Sequence, residues 1–282
     1  MNTKANRSIG VFDSGIGGLT VVRSLMERLP FENIIYFGDT ARVPYGIKSV
    51  ETINRYAAQI TEFLIKKDVK LLIVACNTMA AVAHQTIIDL SHVPVAVAHR
   101  TILVDPVPVL EVIDASARMA IQNTRNKSIG VIGTPATINS NAYARAIHLL
   151  DKDANVFSQA CPLFVPLVEE GWFDHPATKL VAQEYLKPVI AEQVDTLVLG
   201  CTHYPLLKPL LQDIMGKSVN LIDSAEAMAD IAADLINTQN MGNQNCLPPD
   251  YVFYVSDLPY RFQTIGERFL GRTLGRVELV SL

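Results

Sequence analysis

The sequence predicts an α/β fold of two similar halves, each a doubly wound parallel sheet. Three observations carry this expectation. Short apolar runs alternate with longer segments of helical period along most of the 282 residues, the order expected of parallel strands joined by helices. Several runs are apolar without interruption, as strands covered on both faces are. The pattern of the first half also returns in the second, in the same order.

Residues 8–12 read as a buried strand and 19–29 as the helix after it. A second strand covers 33–37. Over 50–67, Ile53, Tyr56, Ala57, Ile60, Phe63 and Leu64 mark one face of an amphipathic helix. A third strand, 70–75, leads to a helix over 79–90. The stretch 93–114 has no clear period and contains Val-Pro-Val twice, which fits an interdomain crossing. In the second half the expected strands are 128–132, 154–160 and 196–200. Helices are expected over 140–150, over 178–192 with Pro188 as a kink point, and after Tyr204. A helix over 224–237, capped by Ser224, opens the tail. A polar loop (238–245), a strand (251–255) and a last helix (262–270) follow. The tail is too short for a third domain and is expected to pack on one of the first two.

The repeat is specific in two places. Ser8-Ile9-Gly10-Val11 returns as Ser128-Ile129-Gly130-Val131, and the apolar run ending at Cys76 returns as the run ending at Cys201. In both halves a cysteine therefore follows a buried strand and precedes a helix.

Composition narrows the function. With 24 basic and 28 acidic side chains, a net charge of −4 and a pI near 5.9, there is no electrostatic case for nucleic acid as a partner. Charged residues are 18%, below the usual share of about 25%, which argues against disorder. The least charged stretch, 71–88, contains Asn77, Thr78, His84 and Gln85, so no membrane span is expected. The N-terminal residues hold no apolar signal core, and a cytoplasmic protein is expected. Four scattered cysteines, Cys76, Cys161, Cys201 and Cys246, form no C-x-x-C pair and no zinc-finger spacing, which leaves reduced thiols rather than disulfides or a metal site.

Ligands of doubly wound sheets bind outside the carboxyl ends of the strands. Cys76 and Cys201 both stand there, followed by Asn77-Thr78 and Thr202-His203. A helix N-terminus binds carboxylates and lowers the pKa of a nearby thiol. Two thiols facing one ligand suit inversion of a stereocentre: one takes a proton from one face and the other returns one to the opposite face. Other polar residues gather at strand ends. They are Asp13-Ser14 with Gly15, Gly17 and Gly18 after the first strand, Asp39-Thr40 leading to Pro44-Tyr45-Gly46, and Thr134 with Thr137. The glycines do not complete a dinucleotide fingerprint, because Thr20 stands at its sixth position. Glu169-Glu170 read as a helix end, and His203 lies two residues from Cys201.

On the segments Asp13–Gly18, Pro44–Gly46, Ala75–Thr78, Gly133–Thr137 and Gly200–Leu207, the chain resembles the cofactor-independent aspartate/glutamate racemase family. The resemblance spans most of the chain. It implies two α/β domains in pseudo-two-fold relation, with the active site in the cleft between them. Residues 1–110 and 224–282 would form the first domain, to which the C-terminal helices return, and 111–223 the second. It implies Cys76 and Cys201 as the acid/base thiols, Asp13 assisting Cys76, and His203 with Glu169 assisting Cys201. Asp13, Ser14, Tyr45, Gly46, Asn77, Thr78, Thr202 and His203 would bind substrate, with Thr134 and Thr137 lining the pocket. Glu170 is then a solvated neighbour. By their placement, Cys161 and Cys246 read as structural or incidental. The implied reaction is reversible conversion of L- to D-glutamate, without cofactor or metal, for bacterial peptidoglycan synthesis. The implied partner is the small-molecule substrate, neither nucleic acid nor membrane, and the family's dimers allow a homodimer here. The chain departs from the family in a longer 93–114 linker, and in Asp114-Ala115-Ser116-Ala117 where Glu-Pro-Gly-Ala is usual. Three alternatives differ in what they predict. An aspartate racemase would prefer the shorter substrate, although Tyr45-Gly46 favours glutamate. A thiol-dependent hydrolase would need only one cysteine. A ligand-binding module would need no paired thiols.

Overall fold

Five consecutive residues, Ile9–Asp13, all buried, form β1, the strand around which the first half is built. The computed structural model describes residues 4–92, 96–97, 100–101, 106–244 and 247–282. Along the chain β1 is followed by α1 (Leu19–Arg28), β2 (Ile34–Gly38), a 3-10 turn at Tyr45–Ile47, α2 (Val50–Lys66) and β3 (Leu71–Val74). Next come α3 (Asn77–Val82), α4 (His84–Ser91), a small antiparallel pair β4 (Ala96–Val97) and β5 (Arg100–Thr101), then β6 (Val109–Glu111) and α5 (Val112–Asn123). The second half runs β7 (Ser128–Gly133), α6 (Pro135–Asn139), α7 (Ala142–Leu150), β8 (Asn155–Ala160), α8 (Phe164–Glu169) and α9 (Pro176–Ala191). It continues with β9 (Thr196–Gly200), a 3-10 turn at Tyr204–Leu207, α10 (Lys208–Met215) and β10 (Asn220–Asp223). The tail holds α11 (Ser224–Thr238), β11 (Tyr251–Val255), α12 (Pro259–Leu270) and β12 (Arg276–Leu279).

Two wholly parallel sheets result. One has the order β12-β11-β2-β1-β3-β6 and the other β10-β9-β7-β8. Read from β2 and from β8, they share one order: β2-β1-β3-β6 and β8-β7-β9-β10. The two strands that lead into Cys76 and Cys201, β3 and β9, thus hold the same place. Both are buried throughout, as strands covered on both faces are. From α2 alone, Ile53, Ile60 and Leu64 are fully buried, each contributing roughly 1.5–3 kcal/mol relative to exposure.

The tail rejoins the first sheet through two strands, β11 against β2 and β12 against β11. Its loop is pinned by a buried lysine: Lys70 Nζ donates to the carbonyls of Ala5 (2.6 Å) and Met241 (2.7 Å) and pairs with Glu32.

Several expectations are corrected. The helix expected over 79–90 is two helices. Asn54 of α2 donates to the Val82 carbonyl (3.0 Å) and accepts from the Thr86 hydroxyl (2.5 Å), so a side chain wedges where the helix would continue. The cap of α11 is Asp223, whose carboxylate accepts from Ala225 N–H (2.9 Å). Ser224, the expected cap, is the first helical residue. The helix expected from residue 140 is preceded by a separate one, α6, with Asn141 in the left-handed region (φ 55°) between them. Through Pro188, α9 continues. Strands β6, β10 and β12 stand where the sequence pattern predicts none. Cys246 and parts of the 93–114 linker lie outside the described residues. Among those residues no helix is long and apolar enough to cross a membrane.

Candidate active site

Cys76 lies two residues beyond β3 and caps the N-terminus of α3; Cys201 directly follows β9. Both are buried. Both line a single cavity of about 320 Å³. The equivalent ends of the two sheets thus meet at one space. Its remaining lining comes from Ser14 and Gly15 after β1, the 43–47 segment, Asn77 and Thr78 of α3, Thr134 and Pro135 at α6, Pro162, Val165, Pro166 and Glu169 at α8, and Thr202-His203.

Cys201 has a charged partner. His203 Nδ1 is 4.0 Å from Cys201 Sγ, and its Nε2 is 3.0 Å from Glu169 Oε1. Burial opposes the charge on this imidazole, but the bonds to Cys201 and Glu169 outweigh it, and the pKa rises to about 10. His203 is therefore an imidazolium at neutral pH, held between a sulfur and a carboxylate. Glu169 is the acidic residue brought into the site.

Cys76 has different surroundings. Burial pushes its thiol up to about 12, and the nearby Asp13 carboxylate adds to the rise. Hydrogen bonds from Met79 N–H and from Ser14 offset part of it. The expectation of a thiol lowered by its helix end is thus reversed here: desolvation and a like charge exceed what one short helix supplies. Asp13 itself is fully buried. Burial raises its pKa, against His203 and the amides of Gly15, Gly18 and Ser14. Its Oδ2 accepts from Gly15 N–H at 3.0 Å, and Thr202 Oγ1 donates to Oδ1 at 3.4 Å. One carboxylate therefore touches the second half while standing beside the first half's thiol.

That closeness depends on a missing side chain. A Cβ at Gly17 would lie 2.2 Å from Thr202 Oγ1 and 2.5 Å from His203 Nδ1, so only glycine lets the turn after β1 meet the segment after β9. Thr20 Oγ1 lies 3.2 Å from the Thr202 carbonyl across the same seam, and 2.9 Å from the Gly17 carbonyl. Tyr36 donates to the Gly15 carbonyl (2.8 Å) and holds the turn from below.

The cavity carries hydroxyls and one free amide. Thr78, Thr134 and Thr137 form a triangle of Oγ1 contacts at 3.0–3.3 Å that joins the two halves. Thr134 also caps α6, accepting from Thr137 N–H. Asn77 accepts at Oδ1 from the Tyr143 hydroxyl (2.5 Å), and its buried Nδ2 has no partner. Tyr45 and Gly46 reach the cavity, but the Tyr45 hydroxyl bonds to Asp39, which in turn pairs with Arg42. Tyr45 therefore offers the cavity its ring rather than its oxygen.

Of the residues to which the resemblance gives a catalytic or substrate-binding role, all line this cavity except Asp13, which is fully buried, and Thr137, which reaches it through the hydroxyl triangle. Cys161 is fully buried and its Sγ faces the Gln159 carbonyl, as a structural thiol does. Sequence reasoning missed Val43, Pro162, Val165 and Pro166, apolar walls without chemical signal, and Tyr143, whose helix lies far from either cysteine in sequence. Among the described residues no group of three His, Cys, Asp or Glu is placed to hold a metal ion.

Comparison with known proteins agrees with this geometry. The family model for Asp/Glu/Hydantoin racemases matches residues 9–232. The chain is 66% identical over 281 residues to a glutamate racemase of Syntrophus aciditrophicus (strain SB), covering 100% of this chain and 99% of the relative. It is 56% identical over 281 residues to a glutamate racemase of Neisseria meningitidis serogroup A, with the same coverage. The crystal structure of glutamate racemase from Francisella tularensis subsp. tularensis SCHU S4 in complex with D-glutamate matches with a TM-score of 0.88 at 42% identity, covering 98% of each chain. Matched from its first central strand to the helix after the last strand of the second sheet, the chain belongs to the Asp/Glu/Hydantoin racemase family.

Proposed function

We propose that this protein is a glutamate racemase that interconverts L- and D-glutamate with two cysteine side chains as acid and base. The observation that carries the proposal is the placement of Cys76 and Cys201 at equivalent strand ends on one small cavity. One sulfur, as thiolate, takes the α-proton. The carbanion is then protonated from the opposite face by the other sulfur's thiol, and the reverse reaction exchanges the roles. His203, held by Glu169, places a positive charge beside the Cys201 sulfur. Cys76, beside Asp13, starts as the thiol. The substrate's ammonium brings a positive charge next to the α-carbon, and such a charge lowers a neighbouring thiol. Ser14, Asn77, Thr78, Thr134, Thr137 and Thr202 supply donors for the carboxylates, and Tyr45-Gly46 closes one wall.

The domain division into 1–110 with 224–282, and 111–223, is part of the same reading, supported by β10 ending the second sheet at Asp223 and by β6 closing the first sheet at Glu111, one residue past the limit. So are a cytoplasmic location, where thiols stay reduced, a homodimer, and a role in supplying D-glutamate for peptidoglycan. Purified protein given L-glutamate in heavy water is expected to lose optical activity while deuterium enters at the α-carbon. Aspartate, one methylene shorter, is expected to be about 10–200-fold poorer in kcat/KM. Folded protein with reduced thiols that neither racemises nor exchanges refutes the proposal, and a preference for aspartate refutes the substrate.

A further inference from the structure

We infer that Tyr143 is a positioning residue for this reaction: its hydroxyl turns the Asn77 amide donor toward the substrate, and its ring sets the spacing between the two cysteine-bearing segments. The inference rests on the two-thiol reading above. Tyr143 lies in α7, in the second half, and is buried. Its hydroxyl crosses to the first half and donates to Asn77 Oδ1 at 2.5 Å, and Asn77 directly follows Cys76. Its ring lies against the residue before the other cysteine. A Cβ at Gly200 would be 2.9 Å from Tyr143 Cε2 and 3.5 Å from Cζ. One side chain thus touches both segments that present sulfur to the cavity.

The hydroxyl has a second effect. A side-chain amide has a donor end and an acceptor end, and a half-turn exchanges them. Here the phenol O–H donates to Oδ1, and that bond favours one of the two orientations. It leaves Nδ2 as the unpartnered end, buried on a residue that lines the cavity. A carboxylate only accepts hydrogen bonds, so the turned amide would set oxygen against oxygen. Burial raises the Tyr143 pKa, with the nearby Cys201 adding to it, so the phenol stays protonated and a donor at neutral pH.

Tyr143→Phe in the full-length protein keeps the ring against Gly200 and removes the hydroxyl. The KM for both enantiomers, and the Kd for glutamate by calorimetry, are expected to rise about tenfold. The expected kcat stays within about threefold. Asn77→Ala is expected to weaken binding similarly, and the double variant no more than Asn77→Ala alone, because the hydroxyl acts through that amide. A KM and Kd within about twofold of the parent protein in Tyr143→Phe, or a double variant whose losses multiply, overturns the inference. Asn77→Asp decides the matter if Tyr143→Phe does not fold. It keeps an acceptor for the phenol and puts an oxygen in place of the donor, so binding within about twofold of the parent also overturns it. A parent protein that racemises glutamate beside an unaffected Tyr143→Phe refutes the Tyr143 role alone. A parent that binds but does not racemise glutamate refutes the two-thiol reading, while Kd still tests Tyr143.

Discussion

Replacing either Cys76 or Cys201 with alanine is expected to lower racemisation by roughly 10⁴-fold or more, because groups that act as a unit lose nearly the whole rate when one is removed. The loss has to be equal in both directions. Enantiomers in achiral solvent have an equilibrium constant of one, so kcat/KM for L- and D-glutamate must fall together. Each sulfur is needed in each direction, once as base and once as acid. The double variant is therefore expected to be no slower than either single one. Both residues are small and at sheet ends, so folding and glutamate binding are expected to persist, checked by melting temperature and calorimetry. A single-cysteine variant that retains full activity contradicts the assignment and favours a one-thiol chemistry.

His203→Asn carries the second largest effect. Asparagine can still donate to a sulfur, but it cannot hold charge. The expected loss in kcat/KM is about 10²–10³-fold, within the range for a group that sustains acid/base catalysis. The pH dependence should change with it. The pKa of His203 is raised in the folded protein to about 10 from an ordinary 6.5. Its charge, and the stability that charge contributes, is thus fully present below about pH 6.5 and is lost as pH rises through about 10. The parent protein should show an alkaline decline in kcat/KM that is missing from the variant. A variant within about threefold of the parent across that range removes His203 from the mechanism.

How far the sequence anticipates this site follows from where the physical signals lie. Cys76 and Cys201 are legible because each ends a run of buried apolar residues, and a repeated run fixes equivalent places in two sheets. The turn after β1 is legible from Gly15, Gly17 and Gly18, though only the folded chain gives the reason for Gly17, the approach of Thr202 and His203. The short strands β6, β10 and β12 are not legible. They are three or four residues long and lie at sheet edges, and Asn220, Arg276 and Leu279 of β10 and β12 are exposed. The break at Ala83 depends on Asn54, a residue of another helix, and leaves no trace in local period. The charge state of Cys76 is likewise hidden, because it depends on burial by the tertiary structure and on a carboxylate more than sixty residues earlier in the chain. Tyr143 reads as one more apolar position of a helix, and only the tertiary structure places its hydroxyl on Asn77.

The central claim is that two different sulfurs serve the two faces of one carbon, and the placement of deuterium tests it most directly. L-Glutamate is turned over in heavy water for a small fraction of the approach to equilibrium, and each enantiomer is separated and analysed for α-deuterium. Two thiols predict label in the D-glutamate formed and none in the L-glutamate remaining, because the sulfur that removes the proton is not the one that delivers its replacement. Label entering the recovered L-glutamate as fast as the product would mean that one group both takes and returns the proton, and would contradict the account.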